Sequence, residues 1–308
     1  MGYPQEFLDI AEAVNNWGRW GDDDELGTLN LITDDVVVAA ASLIRSGKRI
    51  SCAYPLSVHG LQLGFIPGRL NPVKTMVAIH EPSLGDASTM SSSDDVVTMG
   101  LQAATHWDAL SHVSYGGRMW NGFDPDSIGV WGATRGGIDK IPHLTGRGVL
   151  LDLAASADLD RLEGGTVVGP DELDAAVEAQ KVDVRPGDIV LLRTGHMQLL
   201  LAGDKMSYGI TAPGPGMHAA KWFREHDIAA VATDNMVFEC FPCESDDAPL
   251  PVHCLDLVEM GLTQGQNWNL EPLAADCAAD GVYEFFLEAS PQPFVGGLGS
   301  PVNPVAIK

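Results

Sequence analysis

Apolar and polar positions along the chain follow helical spacing in some segments and strand-like spacing in others. Residues 5–16 form an amphipathic pattern, and residues 33–47 combine a Thr-Asp-Asp start with an apolar run and a glycine stop. Both patterns predict helices at the beginning of the chain. Residues 50–54 and 75–79 are short β-like runs that predict strands, whereas the polar stretch 88–95 predicts a loop.

The middle of the chain alternates between the two periodicities. Buried-strand patterns at 148–153, 187–194 and 229–234 are interleaved with helical patterns at 169–180 and 219–225. Such alternation predicts an α/β architecture. The Pro- and Gly-rich segment 293–307 is too apolar for a free linker and is expected to cross the core as irregular strand. We therefore predict an N-terminal helical segment over residues 1–48 and a single α/β catalytic domain over residues 49–308.

Charge narrows the range of partners. The 308 residues include 42 Asp and Glu against 18 Lys and Arg, which gives a net charge of −24. Nucleic acids and anionic membranes are excluded as partners, because both attract proteins through basic residues. With 45% hydrophobic residues the chain is nevertheless a folded protein. It has neither an apolar run long enough for a bilayer nor a secretory leader pattern, so a cytoplasmic location is expected.

The five cysteines are odd in number and scattered, which argues against a disulfide framework. Cys240 and Cys243 have the Cys-x-x-Cys spacing of zinc and redox sites. No second such pair completes a structural zinc site, and no helix start follows the motif. Two free thiols in a loop are the favoured interpretation.

The segment 102–112 contains the densest group of chemically active residues. On a regular strand Gln102, His106, Asp108 and His112 would share one face, because side chains two apart point the same way. Two imidazoles and a carboxylate are a plausible half-site for a divalent metal, and hydrogen-bonded histidines at a strand end are the alternative. Two more polar residues, His253 and Gln266, are weaker candidates for ligands. Four aromatic residues close in sequence are candidate walls of a substrate pocket or simply core residues: Trp107, Tyr115, Trp120 and Phe123.

This segment resembles the signature His-x-Gly-Thr-His-x-Asp-x-Pro-x-His of the cyclase family of metal-dependent hydrolases, which includes bacterial kynurenine formamidases and isatin hydrolase. Residues 187–195 are similar to the family strand that ends in Arg-Thr-Gly, and residues 228–234 to its following strand, which ends in an acid. Residues 19–30 and 119–122 are similar to a longer, actinobacterial and fungal-type branch. The resemblance runs from about residue 17 to the C-terminus.

The resemblance implies roles for individual residues. His106 and Asp108 match two metal ligands, His112 matches a histidine that acts as acid and base, and His253 matches a C-terminal ligand or near-ligand. Gln102 stands where the family has its first histidine, and Gln266 stands where it has a glutamate. Amides lack the basicity and charge that a two-zinc site requires. We therefore expect one divalent ion, zinc or manganese, on His106 and Asp108, with Gln102, His253 or Gln266 completing its coordination.

The resemblance also implies a fold and an activity. The expected fold is a three-layer β/β/α, swivelling-type α/β domain with mixed sheets, assembled as a homodimer or homotetramer. The N-terminal segment would contact the neighbouring subunit. The expected activity is hydrolysis of a C–N or C–O bond in a small cyclic or aromatic amide, lactam or lactone. Two alternatives remain: a cyclase, dehydratase or isomerase with a weakened or absent metal site, and a non-catalytic binding protein.

Overall fold

A nine-stranded mixed sheet organises the computed structural model, which describes residues 3–308. The strands of the protein are β1 Arg49–Ser51, β2 Val73–Pro82, β3 Ser91–Thr98, β4 His106–Asp108, β5 Ile128–Gly129, β6 Gly132–Ala133, β7 Thr145–Asp152, β8 Val167–Val168, β9 Ile189–Arg193, β10 Gly214–Pro215, β11 Ala230–Thr233, β12 Thr263–Gln266, β13 Glu284–Glu288, β14 Gly299–Pro301 and β15 Val305–Ile307.

The helices are α1 Gln5–Val14, α2 Asp34–Ala41, α3 Leu153–Ser156, α4 Pro170–Gln180, α5 Met197–Leu201, α6 Lys205–Ile210, α7 Ala219–Glu225, α8 Pro251–His253 and α9 Glu271–Asp280. A π-helical segment, Cys254–Met260, continues directly from α8. Short 3₁₀ helices occupy Gly27–Leu31, Trp120–Gly122, Pro125–Ser127 and Ile138–Lys140.

The sheet has the order β1-β15-β13-β7-β9-β11-β12-β4-β14. Its centre, β7 to β12, is parallel, and the flanking strands pair antiparallel. Strand β9 shows why the centre is buried on both faces. Ile189 and Leu191 belong to one core, whereas Val190 and Leu192 belong to the other, as the two-residue period requires.

The sheet is curled. Ile50 of β1 and Trp107 of β4 come from opposite ends of the strand order, yet both pack in the same core together with α9. The other core lies between the opposite face of the sheet and the helices α1, α4 and α7. This arrangement confirms the predicted α/β fold class with a mixed sheet.

The helices predicted around residues 5–16, 33–47, 169–180 and 219–225 are confirmed as α1, α2, α4 and α7. The predicted loop at 88–95 is wrong, because β3 pairs with β2 in a separate two-stranded ribbon. Side chains on both faces of this ribbon are exposed, so β3 is polar and carries no apolar alternation that would reveal a strand.

The N-terminal helix α1 shares a core with the rest of the chain. Phe7 and Val14 are fully buried in the same core as Val149 of β7 and Val190 of β9. The boundary at residue 48, and the role of this segment in subunit contacts, stay predictions. All five cysteines are free, as predicted, and none of the helices in residues 3–308 has the length and apolar character needed to span a membrane.

Candidate active site

Strand β4 places His106 and Asp108 on one face of the sheet, and both side chains are completely buried. The distance from His106 Nε2 to Asp108 Oδ1 is 3.4 Å. Trp107 points to the opposite face, where it packs edge to face on Trp268 and donates to the carbonyl of Ala289. The prediction that Trp107 walls the substrate pocket is therefore wrong, because the strand period directs it into the core.

His112 reaches the same carboxylate through a turn. Strand β4 ends at Asp108, and the backbone N–H of His112 donates to the carbonyl of Ala109 at 2.9 Å. The expectation of one regular strand face extending to residue 112 is wrong, yet His112 Nε2 lies 3.8 Å from Asp108 Oδ1. About a fifth of the His112 side chain is exposed, at 21%, so this is the histidine of the group that solvent and substrate can reach.

The electrostatic environment shifts the pKa values of both Asp108 and His112. Burial alone would raise the pKa of Asp108, but His112 and His106 outweigh burial and hold this pKa below its ordinary value. Burial lowers the pKa of His112, and the Asp108 carboxylate opposes that effect. The lowered pKa of Asp108 favours its carboxylate form, and the lowered pKa of His112 favours a neutral imidazole that can accept a proton.

An amide holds the second oxygen of Asp108. Gln266 Nε2 donates to Asp108 Oδ2 at 2.6 Å and lies 3.2 Å from His253 Nε2. The ionised carboxylate fixes the orientation of this amide, because the reversed amide would place two acceptor oxygens against each other. One hydrogen of the amide nitrogen is then directed at Asp108, and the other can be donated to His253 Nε2 only while that nitrogen carries no proton. Gln266 and His253, predicted as metal ligands, thus lie in contact with each other, with 3.2 Å between Gln266 Nε2 and His253 Nε2.

Glu239 orients His253 and was not predicted. Its fully buried carboxylate accepts the backbone N–H groups of Val252 and His253 at 3.0 Å and lies 2.5 Å from His253 Nδ1. A carboxylate at Nδ1 fixes the imidazole tautomer and ring orientation. Although burial opposes a second proton, Glu239 raises the pKa of His253. A chain of contacts therefore runs from Glu239 through His253 and Gln266 to Asp108.

Two buried lone pairs face each other in this site. The distance of 2.7 Å between His106 Nδ1 and the Ala104 carbonyl shows that Nδ1 carries a hydrogen. In neutral His106 this leaves Nε2 as an acceptor aimed at Asp108 Oδ1, and both atoms are buried without a hydrogen-bond partner. Two such acceptors attract only when a cation or a proton lies between them. Their 3.4 Å separation equals the roughly 3.4 Å between two ligands of a tetrahedral zinc with bonds of about 2.1 Å.

Two donor atoms, His106 Nε2 and Asp108 Oδ1, have the spacing of ligands to a single ion, and the neighbouring amides do not supply the ligands of a second. Among residues 3–308, no three or more His, Cys, Asp and Glu side chains converge closely enough to form a complete metal cluster. His106 and Asp108 supply two atoms, with His112 at a longer distance. A second ion would require anionic or imidazole groups where the chain has Gln102 and Gln266.

The remaining predicted residues lie around this centre. Gln102 lines a cavity of about 480 Å³ together with His112. Trp120 and Phe123 pack with Leu110 in a small cluster that supports the turn carrying His112. Tyr115 donates to Glu259 and packs edge to face on Phe7. These three aromatic residues support the loop instead of lining the cavity next to His112.

Arg69 is a further charged residue near the site. Its Cα and Cγ pack against Gly100, two positions before Gln102. Burial lowers the pKa of Arg69, while Asp108 opposes this effect, and the Arg69 charge in turn lowers the pKa of His112. No residue pattern in the sequence connects Arg69 to the motif at 102–112.

Comparison with known proteins identifies the family. Residues 34–239, two thirds of the chain, match the family described as "Putative cyclase". The chain belongs to this cyclase family. A solved structure of a novel cyclase is similar to this cyclase-family protein with 38% identity and a TM-score of 0.87, covering 96% of this chain and 100% of that chain.

More distant solved structures share the fold. Isatin hydrolase A from Labrenzia aggregata, bound to benzyl benzoate, is 20% identical with a TM-score of 0.62 over 89% of this chain and 97% of that chain. A predicted metal-dependent hydrolase from Bacillus stearothermophilus is 16% identical with a TM-score of 0.52 over 84% of this chain and 97% of that chain. No curated protein matches this cyclase-family sequence.

Proposed function

We propose that this cyclase-family protein hydrolyses a C–N or C–O bond in a small cyclic or aromatic amide, lactam or lactone. The observation that carries the proposal is the pair of unpartnered lone pairs on His106 and Asp108, placed beside a histidine that can be reached from a cavity. Buried acceptors without partners are costly, so this pair supports a cationic occupant during function.

One divalent ion, zinc or manganese, would be held by His106 Nε2 and Asp108 Oδ1. When bound, such an ion polarises a carbonyl and brings the pKa of a water molecule toward neutrality. Gln266 keeps Asp108 in place by donating to Oδ2, and this leaves Oδ1 free on the side of His106 and His112.

His112 would transfer the proton. It is neutral because burial lowers its pKa, and its Nε2 lies 3.8 Å from an ionised carboxylate that stabilises the imidazolium once it forms. It can therefore take a proton from the attacking water and give it to the leaving nitrogen or oxygen. The supporting cluster of Trp120, Phe123 and Leu110 holds the turn in position for both steps.

A second candidate is a cyclase, dehydratase or isomerase that uses His112 as its base. The geometry of Gln266 favours it, because the amide gives Asp108 a donor where the family glutamate would give an ion another negative ligand. In this case a proton, instead of a metal ion, lies between His106 and Asp108.

Elemental analysis combined with turnover on an amide, lactam and lactone panel tests the proposal. Asp108→Ala should abolish metal stoichiometry, since it removes the carboxylate of the motif. His112→Ala should retain metal and lose roughly 10² to 10⁴ in turnover. His143→Ala, a change at an exposed histidine outside the site, is the control.

Each outcome distinguishes the candidates. Hydrolysis that persists after complete metal removal would contradict the metal-dependent proposal. Turnover of a ring-closing or elimination substrate without metal would support the second candidate. Absence of both bound metal and turnover would leave the non-catalytic binding protein.

A further inference from the structure

The cavity that contains Gln102 and His112 has an apolar wall. Its remaining lining comes from Leu101, the hairpin β5–β6 and the segment 294–298, including Trp131, Phe294 and Val295. Trp131 is 93% exposed and Val295 is 85% exposed, so both side chains are accessible to a ligand that enters this cavity. At about 480 Å³ the cavity lies within the range of small-molecule sites.

The wall is held rigidly beside the site. Ala133 N donates to the carbonyl of Gly296 at 2.8 Å. Gly132 has a φ of +103°, and a Cβ at this position would lie 2.2 Å from the Gly296 carbonyl oxygen. Only glycine permits this close approach, which fixes the hairpin against segment 294–298. Trp131 is therefore an exposed ring on an ordered support.

The floor of the cavity supplies polar groups without formal charge. The lining contains no Asp, Glu, Lys or Arg. Gln102 packs over β14, where a Cβ on Gly299 would lie 2.8 Å from Gln102 Nε2. The Gln102 amide forms no hydrogen bond within residues 3–308, so its N–H and C=O are available to a ligand. A planar ring that carries an amide or ester carbonyl matches this combination.

We propose that this cavity binds the uncharged aromatic ring of the substrate, with Trp131 as the residue that selects aromatic over aliphatic substrates. This inference rests on the proposed function, which specifies the bond that is cleaved. The inference itself concerns how the aromatic ring is bound, and binding can be measured without turnover. The ring would lie between Trp131 and Phe294, and its carbonyl would face Gln102 and His112. Aromatic side chains in offset or edge-to-face contact with a ring add attraction beyond the burial of area.

Phthalimide and succinimide are matched probes, because they share the cyclic imide and differ in the fused benzene ring. Binding of each to the purified protein is measured by isothermal titration calorimetry. The wild type should bind phthalimide more tightly, and Trp131→Ala should reduce this preference about tenfold. Val130→Ala is the control, since Val130 is the adjacent hairpin residue, is 96% exposed and does not line the cavity.

The outcomes separate recognition from chemistry. A Trp131-dependent preference in binding supports the cavity whether or not either imide is hydrolysed, because the proposed function is judged separately by turnover on the amide, lactam and lactone panel. An unchanged preference in Trp131→Ala overturns the inference even if both imides are hydrolysed. Conversion of an oligomer to a monomer by Trp131→Ala, with the preference unchanged, would also overturn it and assign the apolar wall to a contact between copies.

Discussion

Replacing Gln266 by glutamate tests the hydrogen bond that holds Asp108. The substitution puts a carboxylate oxygen where an amide nitrogen now lies 2.6 Å from Asp108 Oδ2. Two charges about 3 Å apart repel by roughly 5 kcal/mol at an effective dielectric constant of about 20. The new glutamate can avoid this repulsion by taking up a proton. At pH 7 protonation costs about 4 kcal/mol, because the ordinary glutamate pKa is about 4.3 and each pH unit above it costs about 1.4 kcal/mol. The loss of stability at pH 7 is therefore limited to about 4 kcal/mol.

Urea unfolding in the presence of a chelator measures this cost. We expect Gln266→Glu to lower the free energy of unfolding by about 4 kcal/mol at pH 7 and by about 1 kcal/mol at pH 5, where the proton is easily supplied. Added manganese should narrow the difference, since a cation between carboxylates replaces repulsion with attraction.

Gln5→Glu is a matched control for this experiment. Gln5 also donates to a carboxylate, Asp9 Oδ1 at 2.8 Å, but this pair is exposed to solvent. Water screens the new charge, so the control should change stability much less. If Gln266→Glu and the wild type have equal free energies of unfolding at pH 7, Asp108 is not an ionised carboxylate held by the Gln266 hydrogen bond.

Two further predictions concern charges around the site. Arg69→Met should raise the pKa of His112, because the Arg69 charge lowers it, and the lower-pH limb of the kcat/KM profile should move to higher pH. Arg69→Lys keeps the charge and should keep the wild-type profile. If the limb does not move in Arg69→Met, Arg69 has no such effect on His112. Burial raises the pKa of Asp256 to about 8, although the hydrogen bond donated by Gln264 acts in the opposite direction. Between about pH 4 and pH 8, Asp256 is therefore protonated in the folded protein and ionised in the unfolded chain. The free energy of unfolding of the wild type should therefore fall as pH rises through this range, more steeply than that of Asp256→Asn by up to about 1.4 kcal/mol per pH unit. Parallel curves of unfolding free energy against pH for the two proteins would contradict the raised pKa of Asp256.

The sequence pattern located the reactive strand correctly, but it did not predict the turn that brings His112 to Asp108. Two-residue periodicity placed His106 and Asp108 on one face, and β4 has this geometry. The same periodicity applied to His112 was wrong, because the chain turns after Asp108. The histidine still reaches the carboxylate, since a turn can bring it there as effectively as a strand.

Glu239 and Trp131 show what local patterns do not reveal. Glu239 meets His253 through a loop and a short helix, so neither residue lies in a periodic segment that predicts the contact. Trp131 lies at the tip of a short hairpin whose position depends on the close approach of Gly132 and Gly296. The first contact joins residues 14 positions apart through irregular backbone, and the second joins distant parts of the chain. Neither has a periodic signal in the sequence that specifies it.

The pairing of β4 with β14 has a consequence for how the protein is made. Gly299 pairs with Asp108 and Pro301 with His106, so one side of the reactive strand is completed only by residues about 190 positions later, whereas β12 pairs with its other side. During synthesis the strand is exposed at an edge until residues 299–301 have left the ribosome. A nascent chain stalled before that point would contain every residue of the His106–Asp108–His112 motif without its assembled neighbourhood. Acquisition of the site should therefore coincide with one of the last folding steps, when this long-range pairing forms.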